Sequence, residues 1–251
     1  MAKKIAVANL KGGTGKTNVC INLSMFLTAF GKRVLLVDLT SQADVGFCLG
    51  IKASPNFVGD VLLQKVRPRV VVKSTPYFGF DVMPSSEKLR EVAEELTKIK
   101  NGEFRLKKAL EQLEEDYDFI IIDTAPIFDI LLKNALAAAD EVIIPVQAEH
   151  LAMRSAKQFV SLIEEAGLEI EEINALITMY LWRSLLSRKI LKEMRKDFAE
   201  RIFNATIPQA AILAQLPEKK EPILKTVPNS RAARAYSQLA EELIKKYEKN
   251  S

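Results

Sequence analysis

The sequence is poor in the residues that build disulfide frameworks and histidine-based sites. Its 251 residues include two cysteines, Cys20 and Cys48, and a single histidine, His150. The cysteines have no metal-like spacing. Their number allows one disulfide, but we expect reduced thiols that behave as small buried hydrophobes in a reducing compartment. One histidine largely excludes histidine-based metal centres and histidine-dependent catalytic triads.

The chain also lacks a hydrophobic run long enough to cross a bilayer. The longest stretch without a charged residue, Ile202–Pro217, has 16 residues and is interrupted by Pro208, whereas a membrane-spanning helix needs about 20 apolar residues. The N-terminus carries Lys3 and Lys4, but the apolar segment that follows, Ile5–Ala8, is too short for a secretory signal. We therefore expect a cytoplasmic protein without a membrane anchor.

The composition is that of a globular protein, with 48% hydrophobic and 27% charged residues, which excludes a disordered or fibrous chain. The formal net charge is +4, and it is unevenly distributed. Residues 182–225 contain ten Lys or Arg and five Asp or Glu. The basic character is therefore concentrated in the last third of the chain.

Strand patterns alternate with helical patterns along the chain. Five apolar runs are predicted as buried parallel strands: Ile5–Ala8, Arg33–Val37, Phe119–Ile122, Glu141–Val146 and Ile173–Met179. Val70–Val72 and Phe80–Met83 are interpreted as a strand pair or an extra strand. An amphipathic helix is predicted from Val19 to Phe30, and further helices at Ser86–Lys98, Phe104–Glu115, Ile127–Ala138, Leu151–Ala166, Leu185–Ile202 and Ser230–Tyr247. This alternation predicts a doubly wound α/β fold with a mostly parallel sheet, as a single domain over residues 1–251.

A glycine-rich segment lies directly between the first strand and the first helix. It reads Lys11-Gly12-Gly13-Thr14-Gly15-Lys16-Thr17, and this context is the one that a phosphate-binding loop requires. The glycines let backbone N–H groups point inward, and the helix adds its positive N-terminal end. In such a loop Lys16 reaches the β and γ phosphates, and the Thr17 hydroxyl is a ligand for Mg²⁺.

The loop has Leu10 where the common motif has glycine, followed by the extra lysine Lys11. The pattern K-G-G-x-G-K-T resembles the deviant Walker A loop of the ParA/Soj/MinD family, the P-loop NTPases of SIMIBI type that segregate DNA or position cell machinery. The segments Lys32–Leu39, Tyr117–Asp123, Pro145–Glu149 and Ala233–Glu242 resemble further parts of its chromosome-segregation branch. The resemblance therefore covers nearly the whole chain.

The resemblance implies an ATPase with ATP and Mg²⁺ as cofactors. It implies that Lys11 crosses a subunit interface to the partner's nucleotide, so that the chain forms a homodimer on ATP binding. The implied nucleotide-binding residues are Lys11, Gly12, Gly13, Thr14, Gly15, Lys16, Thr17, Asn18 and, near the adenine, Pro208. The implied Mg²⁺-binding residues are Thr17, Asp38 and Asp123, and the candidate catalytic residues are Lys11, Lys16, Asp38 and Thr40.

The chain departs from the family at the position that orients the attacking water. ParA-like proteins usually read Asp-x-Asp-Pro-Gln after the second strand, whereas this chain reads Asp38-Leu39-Thr40-Ser41-Gln42. Threonine has no charge and cannot act as a base near neutral pH. We therefore expect tight ATP binding, slow or absent hydrolysis and a persistent ATP dimer, unless Asp38 or Asp44 substitutes for the missing carboxylate. An engineered change at Thr40 is a third interpretation.

The basic region contains one predicted helix with its cations on one side. Arg188, Lys192 and Arg195 recur at i, i+4 and i+7, while Ile190, Met194 and Phe198 face the core. A solvated helix face is the alternative interpretation. The family binds duplex DNA non-specifically through this region, so the resemblance favours a DNA surface, with nucleoid association. The candidate DNA-contacting residues are Arg183, Arg188, Lys189, Lys192, Arg195 and Lys196.

Two other functions compete with a hydrolysing partition ATPase of a plasmid or a chromosome. The first is a nucleotide-gated DNA-binding clamp without turnover, which Thr40 favours. The second is a MinD-like membrane-positioning ATPase, but Ala232, Tyr236, Leu239, Leu243 and Tyr247 are interpreted as the core face of a packing helix rather than a membrane anchor. The family also implies a ParB-like centromere-binding protein as a partner.

Overall fold

The apolar runs of the sequence become the strands of one sheet in a computed structural model, which describes residues 1–248. The strands are β1 (Lys3–Val7), β2 (Val34–Leu39), β3 (Lys73–Ser74), β4 (Phe80–Met83), β5 (Phe119–Thr124), β6 (Glu141–Gln147), β7 (Glu172–Tyr180) and β8 (Ile202–Pro208). Within residues 1–248 they form a single eight-stranded sheet in the order β3-β4-β2-β5-β1-β6-β7-β8. Only the β3–β4 pair of that sheet is antiparallel.

Helices cover both faces of the sheet. They are α1 (Lys16–Ala29), α2 (Asp44–Cys48), α3 (Val58–Leu62), α4 (Pro68–Val71), α5 (Leu89–Thr97), α6 (Arg105–Leu110), α7 (Ile130–Ala138), α8 (His150–Glu165), α9 (Leu185–Phe198), α10 (Ala211–Lys219), α11 (Ile223–Thr226) and α12 (Arg231–Glu248). One core lies between the sheet and helices α3 to α9, and the other between the sheet and α1, α2, α10, α11 and α12. The predicted doubly wound α/β fold is confirmed.

Strand β1 lies at the point where the strand order reverses. It pairs with β5 on one side and with β6 on the other, both in parallel. In open α/β sheets a crevice forms at such a point outside the carboxyl ends of the strands, and ligands bind there. The loop that leaves β1 is the glycine-rich segment, so the topology places it in the crevice.

Helix α1 is buried on more sides than an amphipathic helix. Val19, Leu23, Phe26 and Leu27 are buried as the spacing predicts, but Asn22 and Ser24 are buried as well. The reason is that α1 packs against the sheet and also against α11 and α12. The prediction of one apolar face and one solvent face was therefore wrong, and Phe30 lies past the end of the helix with 43% exposure.

Two sequence-based boundaries were also wrong. The segment predicted as the strand Val70–Val72 forms the end of α4 instead, because Pro68 is suited to the first turn of a helix, and the short strand β3 follows at Lys73. The helix predicted over Leu185–Ile202 ends at Phe198, where Ala199 takes a positive φ of 49°. The residues after it form β8, an eighth strand that the pattern did not predict.

The last helix is held to the sheet at the edge opposite the carboxyl ends of the strands. Glu141, at the start of β6, has a fully buried side chain that accepts hydrogen bonds from Lys246 Nζ at 2.9 Å, from Asn174 Nδ2 at 2.8 Å and from the Tyr247 hydroxyl. Lys246 also pairs with Glu172. This cluster joins α12 to β6 and β7.

Helix α12 buries its apolar residues on β8 and α1. Ala232, Tyr236, Leu239 and Leu243 are all at most 1% exposed, so the interpretation of α12 as a packing helix is confirmed for these residues. Its Glu242 carboxylate accepts the backbone N–H groups of Asn204 and Ala205 in β8, at 2.9 and 2.7 Å. Among the helices of residues 1–248, none combines the length and apolar character needed to cross a membrane.

Candidate functional site

The glycine-rich loop wraps around the N-terminal end of α1. Gly13 and Gly15 have φ angles of 71° and 88°, a region that glycine enters without the steric cost of a Cβ atom. Gly15 is the residue before the first turn of α1, and that turn has no acidic side chain. The unpaired N–H groups of the helix start, together with its dipole, make this end of α1 a site for an anion.

Three polar residues at or near neighbouring strand ends hold the loop. Asn9 follows the predicted strand Ile5–Ala8 at a position suited to a site, whereas Gln147 and Thr178 were not predicted to contribute to it. The Asn9 carboxamide donates to Pro145 O at 2.7 Å and accepts the Lys11 N–H at 2.9 Å. Gln147 Nε2 donates to Gly13 O at 3.0 Å, and Thr178 Oγ1 donates to Thr14 O at 3.0 Å. Asn9 lies two residues after β1, Gln147 ends β6 and Thr178 lies two residues before the end of β7. The rule that polar residues near parallel strand ends line a site could therefore have identified Gln147 and Thr178 as well.

Lys16 is 7% exposed and folds back into the loop. Its ammonium donates to Asn9 O at 3.1 Å and to Lys11 O at 3.4 Å. Burial lowers the pKa of Lys16, while the charge of Asp123 opposes this shift. The loop thus holds the Lys16 ammonium against two backbone carbonyl oxygens. An anionic oxygen of a ligand can replace either of them as the hydrogen-bond acceptor.

Lys11 points away from the loop toward the end of β6. Its ammonium forms an ion pair with Glu149 Oε2 at 3.0 Å, and the Lys11 side chain is 31% exposed. In the isolated chain Lys11 therefore contacts its own subunit. A reach toward a second subunit requires this exposed and weak ion pair to open.

Two cavities flank the glycine loop and share four residues, three of the loop and one of α1. The first, of about 560 Å³, is lined by the loop and by Thr40, Gln42 and Asp44. The second, of about 520 Å³, is lined by the loop, Thr178 and Pro208. Gly13, Thr14, Gly15 and Asn18 line both cavities. Apolar side chains contribute to the lining of both cavities, and the first adds the polar side chains of Thr40, Gln42 and Asp44. Cavities of this size on both sides of the loop offer room for an elongated phosphate-bearing ligand.

Two carboxylates lie side by side at the carboxyl ends of β2 and β5. Asp38 and Asp123 are aligned in the parallel register, and both are 0% exposed. Burial together with the charge of Asp123 raises the pKa of Asp38 to about 7, and burial raises the pKa of Asp123 to about 6. Asp123 Oδ2 accepts the Thr17 hydroxyl at 2.7 Å, so the helix that begins at the loop brings a further oxygen to the pair.

We predict that the ligand-free protein becomes less stable as the pH rises from 5 to 8. The folded protein holds the protons of these carboxyls to a higher pH than the unfolded chain does. Stability therefore falls as the pH rises through the window between about pH 4 and 7. Between pH 5 and pH 8, Asp38→Asn should remove about 2–3 kcal/mol of this dependence, because only the two pH units between pH 5 and a pKa of about 7 fall inside the measured range. Urea unfolding of the unmodified and Asp38→Asn proteins in EDTA at pH 5 and pH 8 measures the free energy of unfolding. The same change between the two pH values in both proteins would contradict the prediction.

Thr40 lies beside Asp38 and donates its hydroxyl hydrogen bond to that carboxylate. Asp38 Oδ1 accepts both the Thr40 N–H at 2.8 Å and the Thr40 Oγ1–H at 2.7 Å. Asp38 Oδ2 accepts the Val45 N–H at 3.3 Å. Both Asp38 oxygens therefore accept hydrogen bonds from the segment that follows β2. Asp44 is the nearby carboxylate that lines the first cavity.

The residues of the loop and the two buried carboxylates fit a nucleoside triphosphate with Mg²⁺. The Thr14 hydroxyl is buried with no hydrogen-bond partner among residues 1–248, and Thr14 lines both cavities. The oxygens of Thr17, Asp38 and Asp123 suit a hard cation such as Mg²⁺. Within the described part of the chain, no group of three or more His, Cys, Asp or Glu side chains is arranged to hold a metal ion without other ligands.

The predicted basic residues form a row on the surface of α9 and of the loop that precedes it. Ile190, Met194 and Phe198 of α9 are buried, as the pattern predicts. The predicted cations are all exposed, and those of α9 lie on its outer side: Arg188, Lys189, Lys192, Arg195 and Lys196. Arg183 is exposed in the loop that precedes α9. Lys189 is also 3.9 Å from Glu193, so this surface is not entirely cationic.

The chain is similar to proteins of known family over nearly its full length. A family model described as AAA domain matches residues 2–178. The sporulation initiation inhibitor protein Soj of Bacillus subtilis is 36% identical over 97% of this chain and 98% of its own length. The chromosome-partitioning ATPase Soj of Thermus thermophilus is 37% identical over 96% of this chain and 95% of its own.

A solved structure agrees with the fold and with the fit of the site. Cobyrinic acid a,c-diamide synthase from Mycobacterium smegmatis, solved with a bound ATP analog and magnesium, superposes with a TM-score of 0.84. It is 31% identical and covers 100% of this chain and 98% of its own.

Proposed function

Because this chain belongs to the ParA/Soj family of P-loop partitioning ATPases, we propose that it is a nucleotide-controlled DNA-binding protein of a chromosome or plasmid segregation system. ATP and Mg²⁺ are its cofactors, held by the residues of the glycine loop with Thr17, Asp38 and Asp123. The bound Mg²⁺ neutralises phosphate charge. The two buried carboxylates beside the loop are the observation that carries this proposal, since a cation offsets the cost of burying both charges.

The protein forms a homodimer when ATP is bound, with Lys11 contributing to the partner subunit's nucleotide site. The support is the family loop sequence and the partly exposed side chain of Lys11, which among residues 1–248 forms one ion pair, with Glu149 of its own subunit. Duplex DNA then binds without sequence preference to the basic row, because two subunits present twice the number of phosphate contacts. A ParB-like protein bound at a centromere site is the expected partner, and nucleoid association follows from DNA binding.

We predict that Lys11→Ala abolishes the ATP-dependent dimer but leaves nucleotide binding within a few-fold of the original affinity, because Lys16 and the loop N–H groups remain. Sedimentation velocity and titration with a fluorescent ATP analogue measure the two properties. Glu149→Gln is the matched control, since it removes the partner of Lys11 and should preserve or strengthen the dimer. A Lys11→Ala protein that still dimerises with ATP would contradict the proposed role.

A DNA-binding clamp that does not hydrolyse ATP is a second candidate, and Thr40 favours it. The hydroxyl of Thr40 is already donated to Asp38, so it lacks both the charge and the free position to orient an attacking water. A membrane-positioning role has less support, because the apolar residues of α12 are packed on β8 and α1 rather than exposed.

The test of the proposed function is ATP-dependent DNA binding. A fluorescent duplex of random sequence should bind with Mg²⁺ and ATP, and much more weakly with ADP or without nucleotide. Replacing Arg188, Lys192 and Arg195 with glutamine together should weaken binding at least tenfold at low salt, since each phosphate contact contributes to the counterion term. Equal binding in all nucleotide states would contradict nucleotide control.

A further inference from the structure

The single tryptophan of the chain lies on the surface beside the basic row and contacts two arginines. The guanidinium carbon of Arg183 is 4.5 Å from the centroid of the Trp182 ring, and that of Arg231 is 4.7 Å from it. Both distances are within the range of a cation–π interaction. Arg183 belongs to the loop between β7 and α9, whereas Arg231 begins α12. The stack therefore joins two elements that are far apart in the sequence.

Neither of these arginines is neutralised by a carboxylate of residues 1–248. In the part of the chain that the structure describes, Lys157 and Lys189 pair with the acidic residues of α9, but neither Arg183 nor Arg231 forms an ion pair with a carboxylate. Arg231 also begins a helix whose first turn contains no acidic residue. The positive end of the helix dipole disfavours a cation at this position. The dipole and the two arginines therefore both contribute positive electrostatic potential beside the stack.

We propose that Trp182, Arg183 and Arg231 form a phosphate clamp for the DNA backbone at the end of the basic row. This inference rests on the proposed DNA binding and adds Trp182 and Arg231 to it. The indole face restrains two flexible side chains, and the N–H edges of a stacked guanidinium stay free for a bidentate contact with a phosphate. Trp182 is the positioning residue of the clamp, and the two arginines are its phosphate-contacting residues.

The test is the salt dependence of duplex binding with Mg²⁺ and ATP. Arg231→Gln should weaken binding about 5–20-fold at low salt and reduce the slope of log K against log salt by about 1.8, because each of two subunits loses one phosphate contact worth about 0.9. Trp182→Ala should weaken binding about 3–10-fold, and Trp182→Phe should stay within about twofold because it keeps an aromatic face.

Arg234→Gln is the matched control, because Arg234 is exposed in the same turn of α12 and makes no stack with Trp182. Its effect should be within about twofold with an unchanged salt slope. If Arg231→Gln behaves like Arg234→Gln, the clamp is wrong although DNA binding stands. If the unmodified protein binds no duplex with ATP, the proposed function itself fails, and the clamp with it.

A subunit contact at the same place is the alternative that the test separates. Leu181, Leu185 and Leu186 are 47%, 78% and 52% exposed beside the stack. If Arg231→Gln and Trp182→Ala shift the monomer–dimer equilibrium in sedimentation experiments and leave the salt slope unchanged, the stack belongs to the subunit interface and the clamp is overturned. An unaltered dimer with a reduced salt slope supports the clamp.

Discussion

Replacing Thr40 with aspartate is expected to raise the steady-state rate of ATP hydrolysis by roughly 10²–10⁴-fold in the presence of Mg²⁺. The new carboxylate stands where the family places the group that orients the attacking water. It also stands beside Asp38, whose Oδ1 now accepts the Thr40 hydroxyl at 2.7 Å. Two adjacent carboxylates repel each other, so the Thr40→Asp protein should also lose stability without Mg²⁺ and regain it when Mg²⁺ and nucleotide bind.

The measurement is phosphate release with and without duplex DNA, and Thr40→Asn is the matched control. Asparagine has nearly the shape of aspartate but no charge, so it should hydrolyse ATP no faster than the unmodified chain. If the unmodified chain already turns over at the rate of Thr40→Asp, the interpretation of Thr40 is wrong. Asp44→Asn then identifies the substitute, because Asp44 lines the same cavity.

Lys246→Met is expected to lower the free energy of unfolding by about 3 kcal/mol, the lower end of the range for breaking a buried ion pair. The change leaves the Glu141 carboxylate, which is 0% exposed, without its cation. The Lys246 side chain retains 22% exposure, and for this reason the loss stays at the lower end of the range. The remaining donors, Asn174 Nδ2 and the Tyr247 hydroxyl, keep Glu141 hydrogen-bonded but do not supply a charge.

The neighbouring Lys245→Met is the control for this prediction. Lys245 lies 3.7 Å from Glu241 in an exposed i, i+4 pair, and such pairs contribute about 0.3–0.5 kcal/mol. Urea unfolding at pH 7 compares the two proteins. Equal losses would mean that the buried cluster contributes no more to stability than a surface pair.

Much of the fold could be predicted because each buried strand is a short apolar run that ends in a polar residue. The prediction failed at β8, where Phe198 and Ile202 keep the i, i+4 spacing of a helix across the chain reversal at Ala199. No glycine or proline marks that reversal, so tertiary packing of Ile202–Pro208 against β7 decides it. The run Val70–Val72 failed for the opposite reason, since the helix start at Pro68 outweighed the strand preference of three valines.

The site could be predicted where its chemistry lies in one segment. Gly12–Thr17 carry the phosphate-loop pattern locally, and Asp38 and Asp123 end predicted strands. The side-chain contacts between residues of different segments could not be predicted in this way. Lys11 with Glu149 and Trp182 with Arg231 join residues far apart in the sequence, and their contacts depend on side-chain rotamers that only the packed structure selects.

The capping of β8 by Glu242 has a consequence for how copies of this protein assemble. An edge strand with free amide groups is a template on which another chain adds a strand and the sheet grows. Here the amides of Asn204 and Ala205 already donate to Glu242, and the opposite edge is the two-residue strand β3. Both margins of the sheet thus oppose fibre-like growth even when many copies crowd together. The proposed ATP-dependent homodimer instead depends on Lys11 and the bound nucleotide, so it can be reversed.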